Sequence, residues 1–354
     1  MIEPADLDAA VAANVLSAEQ RASLTEFARQ RQQSSLGADE EHFRFITGFN
    51  DIFVTIAALL LLVAVGALGA RVDVWLGALS VAVGSWALAE YFTRRRRMAF
   101  PSMVLLLAFV GGVFATVGAA IVKITGIASV EPDSVEGATF IAIAGASSVA
   151  AAIVHWRRFQ VPITVAAGAA AASAIAFGIV VALMGQDRSA LLTAVSLCGV
   201  GVFALAMRYD ISDRQRLTRR TDIAFWLHLL AAPMIIHPLV VMFGLNGPAM
   251  APVEAVAIVA VYLVITVVAL AIDRRALLVS GLAYMIFALQ SLFKQTGDVD
   301  LGFALTCLVI GLFLLTLSAA WQRIRAAVMP LVPGGWVERL PMVAARAQSQ
   351  VPHI

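Results

Sequence analysis

The stretch IFVTIAALLLLVAVGALGA (52–70) contains no charged residue, and after the short link RVD (71–73) a second apolar stretch leads to the arginines RRRR (94–97). A helix needs about 20 mostly apolar residues to cross the hydrocarbon core of a bilayer. The first stretch therefore predicts a membrane-spanning helix. Together with the second stretch it predicts a hairpin of two spans whose basic end stays on one side of the membrane.

This pattern continues through the chain. Of its 354 residues, 61% are hydrophobic and only 14% are charged, whereas soluble domains are about 45–50% apolar and about 25% charged. The sequence therefore predicts an all-α polytopic transmembrane helix bundle. Its ten candidate spans are 52–70, 74–93, 100–123, 137–155, 160–184, 189–207, 222–244, 252–272, 276–293 and 301–321.

Basic residues fall in alternate gaps between these spans, and the gaps between them are acidic or neutral. Loops rich in lysine and arginine are retained on the cytoplasmic side of a membrane. The alternation therefore predicts a multi-pass protein of the bacterial inner membrane with both termini in the cytoplasm. The basic gaps and the start of the tail carry Arg94–Arg97, Arg157, Arg158, Arg208, Arg214, Arg216, Arg219, Arg220, Arg274, Arg275, Arg323 and Arg325.

Basic pairs recur at 96/97, 157/158, 219/220 and 274/275, so a hairpin of two spans repeats every 55–62 residues. Two explanations are open. The repeat records duplication of one hairpin, or it follows from the length of two spans and the need for basic inner loops. We favour the second explanation.

Short segments flank the bundle, which is predicted to occupy residues 52–321. Residues 1–51 are predicted to form a cytoplasmic helical hairpin and a juxtamembrane helix, because Ser17-Ala18-Glu19-Gln20 fits a capping box at a helix start. In the tail, residues 322–354, apolar side chains alternate with arginines. This alternation predicts a cytoplasmic amphipathic segment that lies in the plane of the lipid headgroups.

Two sequences at the ends of the chain carry a resemblance. They are VLSAEQRASLTEFARQR (15–31) and WQRIRAAVMPLVPGGWVERLP (321–341). The chain resembles a group of poorly characterised bacterial multi-pass inner-membrane proteins at its ends and in its general layout. These proteins share a short N-terminal helical hairpin and a Trp/Arg/Pro-rich tail of these forms. The resemblance implies a polytopic helical fold and no particular activity.

The seventh span, in WLHLLAAPMIIHP (226–238), holds His228, His237, Pro233 and Pro238. Ionisable groups inside a span are functional candidates because their burial in lipid is costly, and prolines there predict kinks. The histidines are nine positions apart, and at about 100° per residue this separation places them on nearly opposite helix faces, which argues against a shared metal site. Both are candidates to line a solute path. Alternatively, they bond neighbouring backbone or interfacial water.

The ninth span carries a polar stripe. Ser280, Tyr284, Ser291 and Gln295 share one helix face, and Gln290 lies beside it. We take Tyr284, Ser291 and Gln290 as further candidates for a solute path. The alternative is ordinary hydrogen bonding between helices, which these residue types supply in many bundles and which we favour slightly.

Two further patterns predict packing rather than chemistry. Glu90 precedes Arg94 by four residues near the end of the second span, which predicts an ion pair at the membrane interface. Small residues that recur at every fourth position in spans three to five predict close helix contacts. These sets are Gly111, Ala115, Ala119; Ala144, Ser148, Ala152; and Gly168, Ala172, Ala176.

Several chemistries are disfavoured. The chain has no phosphate-binding glycine loop, no HExxH and no GxSxG motif, so we predict no catalytic residue, no cofactor and no bound metal, and enzyme activity is disfavoured. A net charge of +2 is too small to indicate nucleic acid. No predicted span has a carboxylate near its middle, which argues against ion coupling.

Three functions remain in order of preference. The first is a carrier or permease for a small solute. The second is a membrane scaffold or sensor that recruits a cytoplasmic protein through residues 1–40. The third is a lipid-acting enzyme that uses His228 or His237 as an acid–base group. The lipid bilayer is the expected partner in each case, and a homo-oligomer is left open.

Overall fold

Helices account for 89% of the computed structural model, and no strand occurs among the residues that it describes. Those residues are 7, 10–13, 15–35, 49–127, 134–185, 187–214, 216, 218–244, 251–294, 299–337 and 340. The all-α class predicted from the sequence is confirmed. The juxtamembrane part of segment 1–51, Gln295 of the polar stripe and the end of the tail lie outside the described residues.

The described residues contain ten helices long and apolar enough to cross a membrane, as predicted. A separate helix, α1 (Ala18–Ser35), precedes them and begins at the predicted capping box, where Ser17 and Gln20 exchange hydrogen bonds of 2.9 and 3.1 Å. The ten helices are α2 (Phe49–Ala70), α3 (Val74–Ala89, extended by a π-helical turn at Glu90–Arg95), α4 (Ala99–Thr125), α5 (Val135–Phe159), α6 (Ile163–Met184), α7 (Arg188–Ser212), α8 (Arg219–Met242), α9 (Pro252–Ile272), α10 (Ala276–Lys294) and α11 (Val299–Ala319).

Polar residues set the starts of several helices. Ser134 accepts a hydrogen bond from the Gly137 amide over 3.0 Å at the start of α5. Asp187 accepts hydrogen bonds from the hydroxyl and amide of Ser189, each 2.9 Å long, at the start of α7. These two bonds hold the pKa of the Asp187 carboxyl below its usual value. Side-chain caps of this kind satisfy amide groups that have no partner within the helix.

Four basic loops close four helical hairpins, α3–α4, α5–α6, α7–α8 and α9–α10, whose helices pack along each other. Among its described residues, each of these loops contains a residue other than glycine in the left-handed conformation. The residues are Arg97 (φ 53), Gln160 (φ 53), Arg216 (φ 56) and Asp273 (φ 58). Residues other than glycine adopt this conformation rarely, so a repeat of turn geometry accompanies the repeat of basic pairs.

Small residues let α5 and α6 approach closely. A Cβ atom on Gly178 would lie 2.5 Å from the Ala138 carbonyl oxygen, which leaves no room for a side chain there. Ala144, Ser148 and Ala152 are buried, which agrees with the predicted packing set.

The packing set predicted in the third span is wrong at its first member. Gly111 is exposed, and a Cβ atom there would meet nothing within 4 Å. The neighbouring Gly112 instead faces α3, where a Cβ atom would lie 3.0 Å from the Ala82 nitrogen. One residue turns a helix by about 100°, so choosing Gly111 instead of Gly112 points to a different neighbour.

The tail begins with α12 (Trp321–Val328), followed by a 3-10 turn (Met329–Leu331) and the short α13 (Gly334–Val337). α12 packs against α9 and α11, and its Trp321 and Arg325 are buried. Leu331 and Trp336 remain exposed. The first helix of the tail therefore docks on the bundle with one face, whereas an in-plane segment was predicted to contact lipid headgroups.

Candidate functional site

A buried charged cluster lies at the end of the bundle that carries the basic loops, which we call the basic end. Asp210, His228 and Arg274, called the Asp210 cluster, come from the last turns of α7, from α8 and from the loop before α10. Only 3%, 0% and 2% of their respective surfaces are exposed. An acid, a base and a cation from three parts of the chain therefore meet away from solvent.

Helix geometry brings these side chains together. The sixth span was predicted to end at 207, whereas α7 continues to Ser212 and carries Asp210 on a helical turn. α8 packs along α7 and presents His228 to it. At the end of α9, the left-handed Asp273 reverses the chain, and the Arg274 side chain reaches Asp210 from there.

The Asp210 carboxylate is the centre of the cluster. His228 Nε2 donates to Oδ2 over 2.8 Å, and Arg274 Nε donates to the same oxygen over 3.2 Å. Arg274 Nη2 contacts Oδ1 and also lies 3.3 Å from the Thr221 carbonyl oxygen. Because one carboxylate is paired with one guanidinium, the cluster carries no net charge when His228 is neutral. The interaction between the two ions compensates for part of the hydration that each loses on burial.

His228 keeps one ring nitrogen without a partner. An ionised carboxylate only accepts hydrogen bonds, so in the neutral ring the proton lies on Nε2 and Nδ1 keeps a lone pair. Nδ1 is buried and has no hydrogen-bond partner among the described residues. Phe203 packs edge-on against the ring at a centroid distance of 5.2 Å. The imidazole is therefore a buried base that is hydrogen-bonded on one side.

A second cluster, the Asp273 cluster, consists of Asp273, Arg216, Trp321 and Arg325. Asp273 Oδ2 lies 3.0 Å from Arg216 Nη1 and 3.8 Å from Arg325 Nη1. Its Oδ1 accepts a hydrogen bond from Trp321 Nε1 over 2.7 Å. Burial lowers the pKa of Arg325, and the charge of Asp273 opposes that shift. The first helix of the tail is thus tied to the loop between α9 and α10.

The two clusters share this loop, because Asp273 belongs to one and Arg274 to the other. Arg325 Nε also donates to the Leu270 carbonyl near the end of α9 over 3.1 Å. Farther along the tail, the Leu340 carbonyl accepts a hydrogen bond of 3.2 Å from Arg214 Nε in the α7–α8 loop. The tail therefore packs against both loops that surround the Asp210 cluster.

His237 and Tyr284, two of the predicted path residues, lie together. His237 Nδ1 is hydrogen-bonded to the Tyr284 hydroxyl, and the ring centroids are 6.2 Å apart. His237 is exposed and Tyr284 is half-buried. Since His228 is fully buried, the two histidines occupy different faces of α8, as their spacing predicts.

The remaining predicted path and kink residues lie on the same two helices. Gln290 and Ser291 follow Tyr284 on α10 and are half-buried. Pro233 and Pro238 both lie inside α8, which continues through them without a break. Pro233 is exposed and Pro238 is buried.

Glu90 lies 3.3 Å from Arg94, the partner expected for it. A second partner is not evident from the sequence, because it comes from another span: Arg158 of α5 donates to both Glu90 oxygens, over 2.7 and 2.9 Å. The Glu90 and Arg158 side chains stay partly open to solvent, at 32% and 40% exposure. This pair ties the end of α3 to the end of α5.

Sequence reasoning missed the acidic and basic members of the buried clusters. Arg274 and Arg325 are interpreted from the sequence only as topology signals, and Asp210 and Asp273, which lie in the same arginine-rich gaps, are not singled out at all. The sequence of such a gap does not distinguish an arginine that is buried in the fold from one that is exposed. One signal was available, because the apolar Ile211 follows Asp210 and continues the helical pattern beyond the predicted end of the sixth span.

A second buried imidazole, His155 of α5, was also missed. It is 1% exposed, its Nδ1 lies 3.3 Å from Thr164 Oγ1, and Phe159 packs against it at a centroid distance of 4.6 Å. No carboxylate contacts it among the described residues. His155 is therefore held by packing and one hydroxyl group, unlike His228.

The described residues contain no group of three or more His, Cys, Asp and Glu side chains placed to hold a metal ion. Fold alone does not imply an activity. No known protein family, curated protein or solved structure matches this chain. Its ten apolar helices indicate an integral membrane protein.

Proposed function

We propose that this integral membrane protein is a carrier or permease for a small solute, with a path between α8 and α10. Two polar sites on α8 that differ in access support this proposal. His237, paired with Tyr284, is exposed, whereas His228 in the Asp210 cluster is fully buried. A carrier with alternating access needs one end of its path open while the other end is closed.

The two sites are separated along one helix that contains a bending point. The nine residues from His228 to His237 correspond to about 14 Å along the axis of α8. Pro233 lies between the histidines. A proline leaves the carbonyl four residues earlier without its helical partner and weakens the helix there. Bending at Pro233 would move one site relative to the other.

In this proposal the Asp210 cluster is the closed end of the path. Opening that end requires Asp210 and Arg274 to separate, and the Asp273 cluster holds the loop that carries Arg274. A proton on His228 Nδ1 would give the cluster a net positive charge beside Arg274, with Arg216 close by in the Asp273 cluster. That charge favours separation, so the proton is the ion that this cluster would couple to solute movement. Asp210 supplies the buried carboxylate that the predicted spans lacked.

Thiol accessibility tests the path. Single cysteines are introduced as H237C, Y284C and S291C after Cys198 and Cys307 have been replaced by alanine. Intact cells and inverted vesicles are then treated with a membrane-impermeant thiol reagent. We expect labelling of H237C and Y284C from the side opposite the basic end, because their side chains would face water in the path.

Val264 of α9 is the matched control. It is 64% exposed and apolar, as a lipid-facing side chain is, so V264C should resist the impermeant reagent. If H237C resists labelling as completely as V264C does, the His237–Tyr284 pair faces lipid and the proposed path is wrong.

Transport supplies the second readout. A deletion strain should lose uptake or export of a solute, and the wild-type gene should restore it, whereas H237A/Y284F should not. Tyr91→Phe, a change at an exposed ring on the basic end of α3, should restore it fully. The solutes whose transport the deletion strain has lost are then tested in vesicles that contain the purified protein. If none of these solutes moves across the vesicle membrane, the carrier function is contradicted.

A second candidate is a membrane scaffold or sensor that recruits a cytoplasmic protein through residues 1–40. The region around α1 supports it, because Val15, Leu24 and Phe27 expose 74%, 45% and 60% of their surfaces, and exposed apolar area of this kind suits a protein partner. Deletion of residues 1–40 should then abolish the phenotype while the ten spans still insert. A truncated chain with the full phenotype would exclude this candidate.

A further inference from the structure

We propose that one region of the basic end of the bundle binds the headgroup of an anionic phospholipid at a defined site. The site is the arginine surface, which we define as Arg95, Arg96, Arg97, Arg157 and Arg219. All five side chains are exposed. None of them forms an ion pair with a carboxylate of the described residues. Among the described residues, no carboxylate neutralises these five side chains, so they are available to an external anion.

The nearby carboxylate is already engaged. Glu90 accepts two hydrogen bonds from Arg158, of 2.7 and 2.9 Å, and lies 3.3 Å from Arg94. Arg96 contacts only a neutral group, because its Nε and Nη2 lie 3.3 and 3.2 Å from the Tyr91 hydroxyl. The charges of the arginine surface are thus left available for an external anion.

Contacts between elements place the three parts of the chain that carry these arginines beside one another. The Glu90–Arg158 pair holds the end of α3 against the end of α5, where Arg157 adjoins Arg158. Arg219 Nη1, at the start of α8, lies 3.0 Å from the Gln160 side-chain oxygen in the α5–α6 loop. Three separate parts of the chain therefore bring their arginines to one place. Orientation by the positive-inside rule requires basic loops, but it does not require them to converge.

Position and chemistry favour a phospholipid phosphate. The arginine surface lies where membrane-spanning helices end, which is the level of the headgroups, and exposed Tyr91 is of the type found at that level. Guanidinium groups bind phosphate through two parallel hydrogen bonds. Basic pockets between spans on the cytoplasmic side are known to hold anionic headgroups.

Buried arginines at the same end of the bundle provide the contrast. There Arg274 is paired with Asp210, and Arg216 and Arg325 are paired with Asp273. Carboxylates of the chain neutralise these three arginines inside the protein. The five exposed arginines of the arginine surface have no such partner among the described residues.

Lipid titration of the full-length protein tests the site. The protein is purified in a neutral detergent, stripped of lipid and titrated with phosphatidylglycerol or phosphatidylcholine, and bound lipid is counted by native mass spectrometry. We compare wild type with R95Q/R97Q/R157Q. The control R71Q/R188Q/R323Q removes three exposed arginines from other places.

Phosphatidylglycerol should bind wild type and the control with similar half-saturation, and the R95Q/R97Q/R157Q variant at least about tenfold more weakly. Phosphatidylcholine should bind all three equally and more weakly. Melting temperatures without lipid should agree among the three proteins, which shows that the triple variant is folded.

Three results would overturn the proposal. The control could lose as much phosphatidylglycerol binding as the R95Q/R97Q/R157Q variant, which would indicate general charge attraction. Phosphatidylcholine could bind wild type as tightly as phosphatidylglycerol. A short single-stranded oligonucleotide could displace phosphatidylglycerol from wild type but not bind the R95Q/R97Q/R157Q variant, which would make the arginine surface a nucleic-acid site.

Discussion

Glu90–Arg158 in the first half of the bundle and Asp210–Arg274 in the second half are the same kind of pair in different surroundings. Each joins a carboxylate on one helix to a guanidinium from another part of the chain, at the same end of the bundle. The first pair is 32% and 40% exposed, whereas both side chains of the second are 2% exposed. Burial, rather than the identity of the residues, therefore separates the two sites.

This difference in burial changes what each pair can do. An exposed pair keeps much of its hydration, so its removal costs little. A buried pair has lost that hydration, and removal of one partner leaves the other as an isolated charge in an apolar place. We therefore expect the first pair to be replaceable and the second to be essential to the folded bundle.

Asp210→Asn should produce the largest effect. The substitution keeps the shape of the side chain but leaves the Arg274 guanidinium buried without a carboxylate, which should cost about 3–5 kcal/mol of the free energy of unfolding. Thermal unfolding in detergent, followed by intrinsic fluorescence, measures the loss. Asp187→Asn, at an exposed carboxylate that caps α7, is the control and should change little.

The double variant D210N/R274Q sharpens this test. It removes both charges, so it should be more stable than the sum of the two single losses implies. Strict additivity of the two losses would show that the side chains do not act as a pair, and the comparison with Glu90–Arg158 would fail.

Trp321→Phe should have an intermediate effect. It keeps an aromatic ring but removes the Nε1 group that donates to Asp273 over 2.7 Å. A hydrogen bond to a charged group contributes about 1.5–3 kcal/mol, so the tail should open more often. Limited trypsin digestion measures this as faster cleavage after Arg323 or Arg325. Trp336→Phe, at an exposed ring, should digest like wild type.

Glu90→Gln should have the smallest effect. The side chain is exposed, and its partners Arg94 and Arg158 can return to water when the carboxylate is removed. We expect no resolvable change in the thermal midpoint at high salt, because salt already screens exposed charges. A loss of stability as large as that of D210N would contradict the distinction between the two pairs.

The predictable part of the structure is the part that depends on the bilayer. The length of the apolar stretches alone located all ten spans. A segment that crosses the bilayer must satisfy its backbone hydrogen bonds internally, and a helix does so. The first span predicted at 52–70 corresponds to α2 at Phe49–Ala70. The pairing of helices at loops was also accessible, since short basic gaps join neighbouring spans.

The charged site could not be predicted in the same way. Asp210 lies between Arg208 and Asp213, and although the apolar Ile211 indicates that the helix continues, it does not indicate that the Asp210 side chain is buried. Its partner Arg274 lies 64 residues later, beyond any helical periodicity. His228 is singled out by the sequence as an ionisable residue inside a span, but its partner depends on tertiary contacts.

The separation of Asp210 from Arg274 along the chain also has a consequence for biosynthesis. Asp210 and His228 leave the ribosome before Arg274 has been made, so the newly inserted α7–α8 hairpin holds a carboxylate without its cation. It completes its charge balance only when the α9–α10 hairpin arrives. A polypeptide interrupted between these hairpins cannot do so, and we expect quality-control proteases of the membrane to remove it faster than a fragment that ends after Lys294, where α10 is complete.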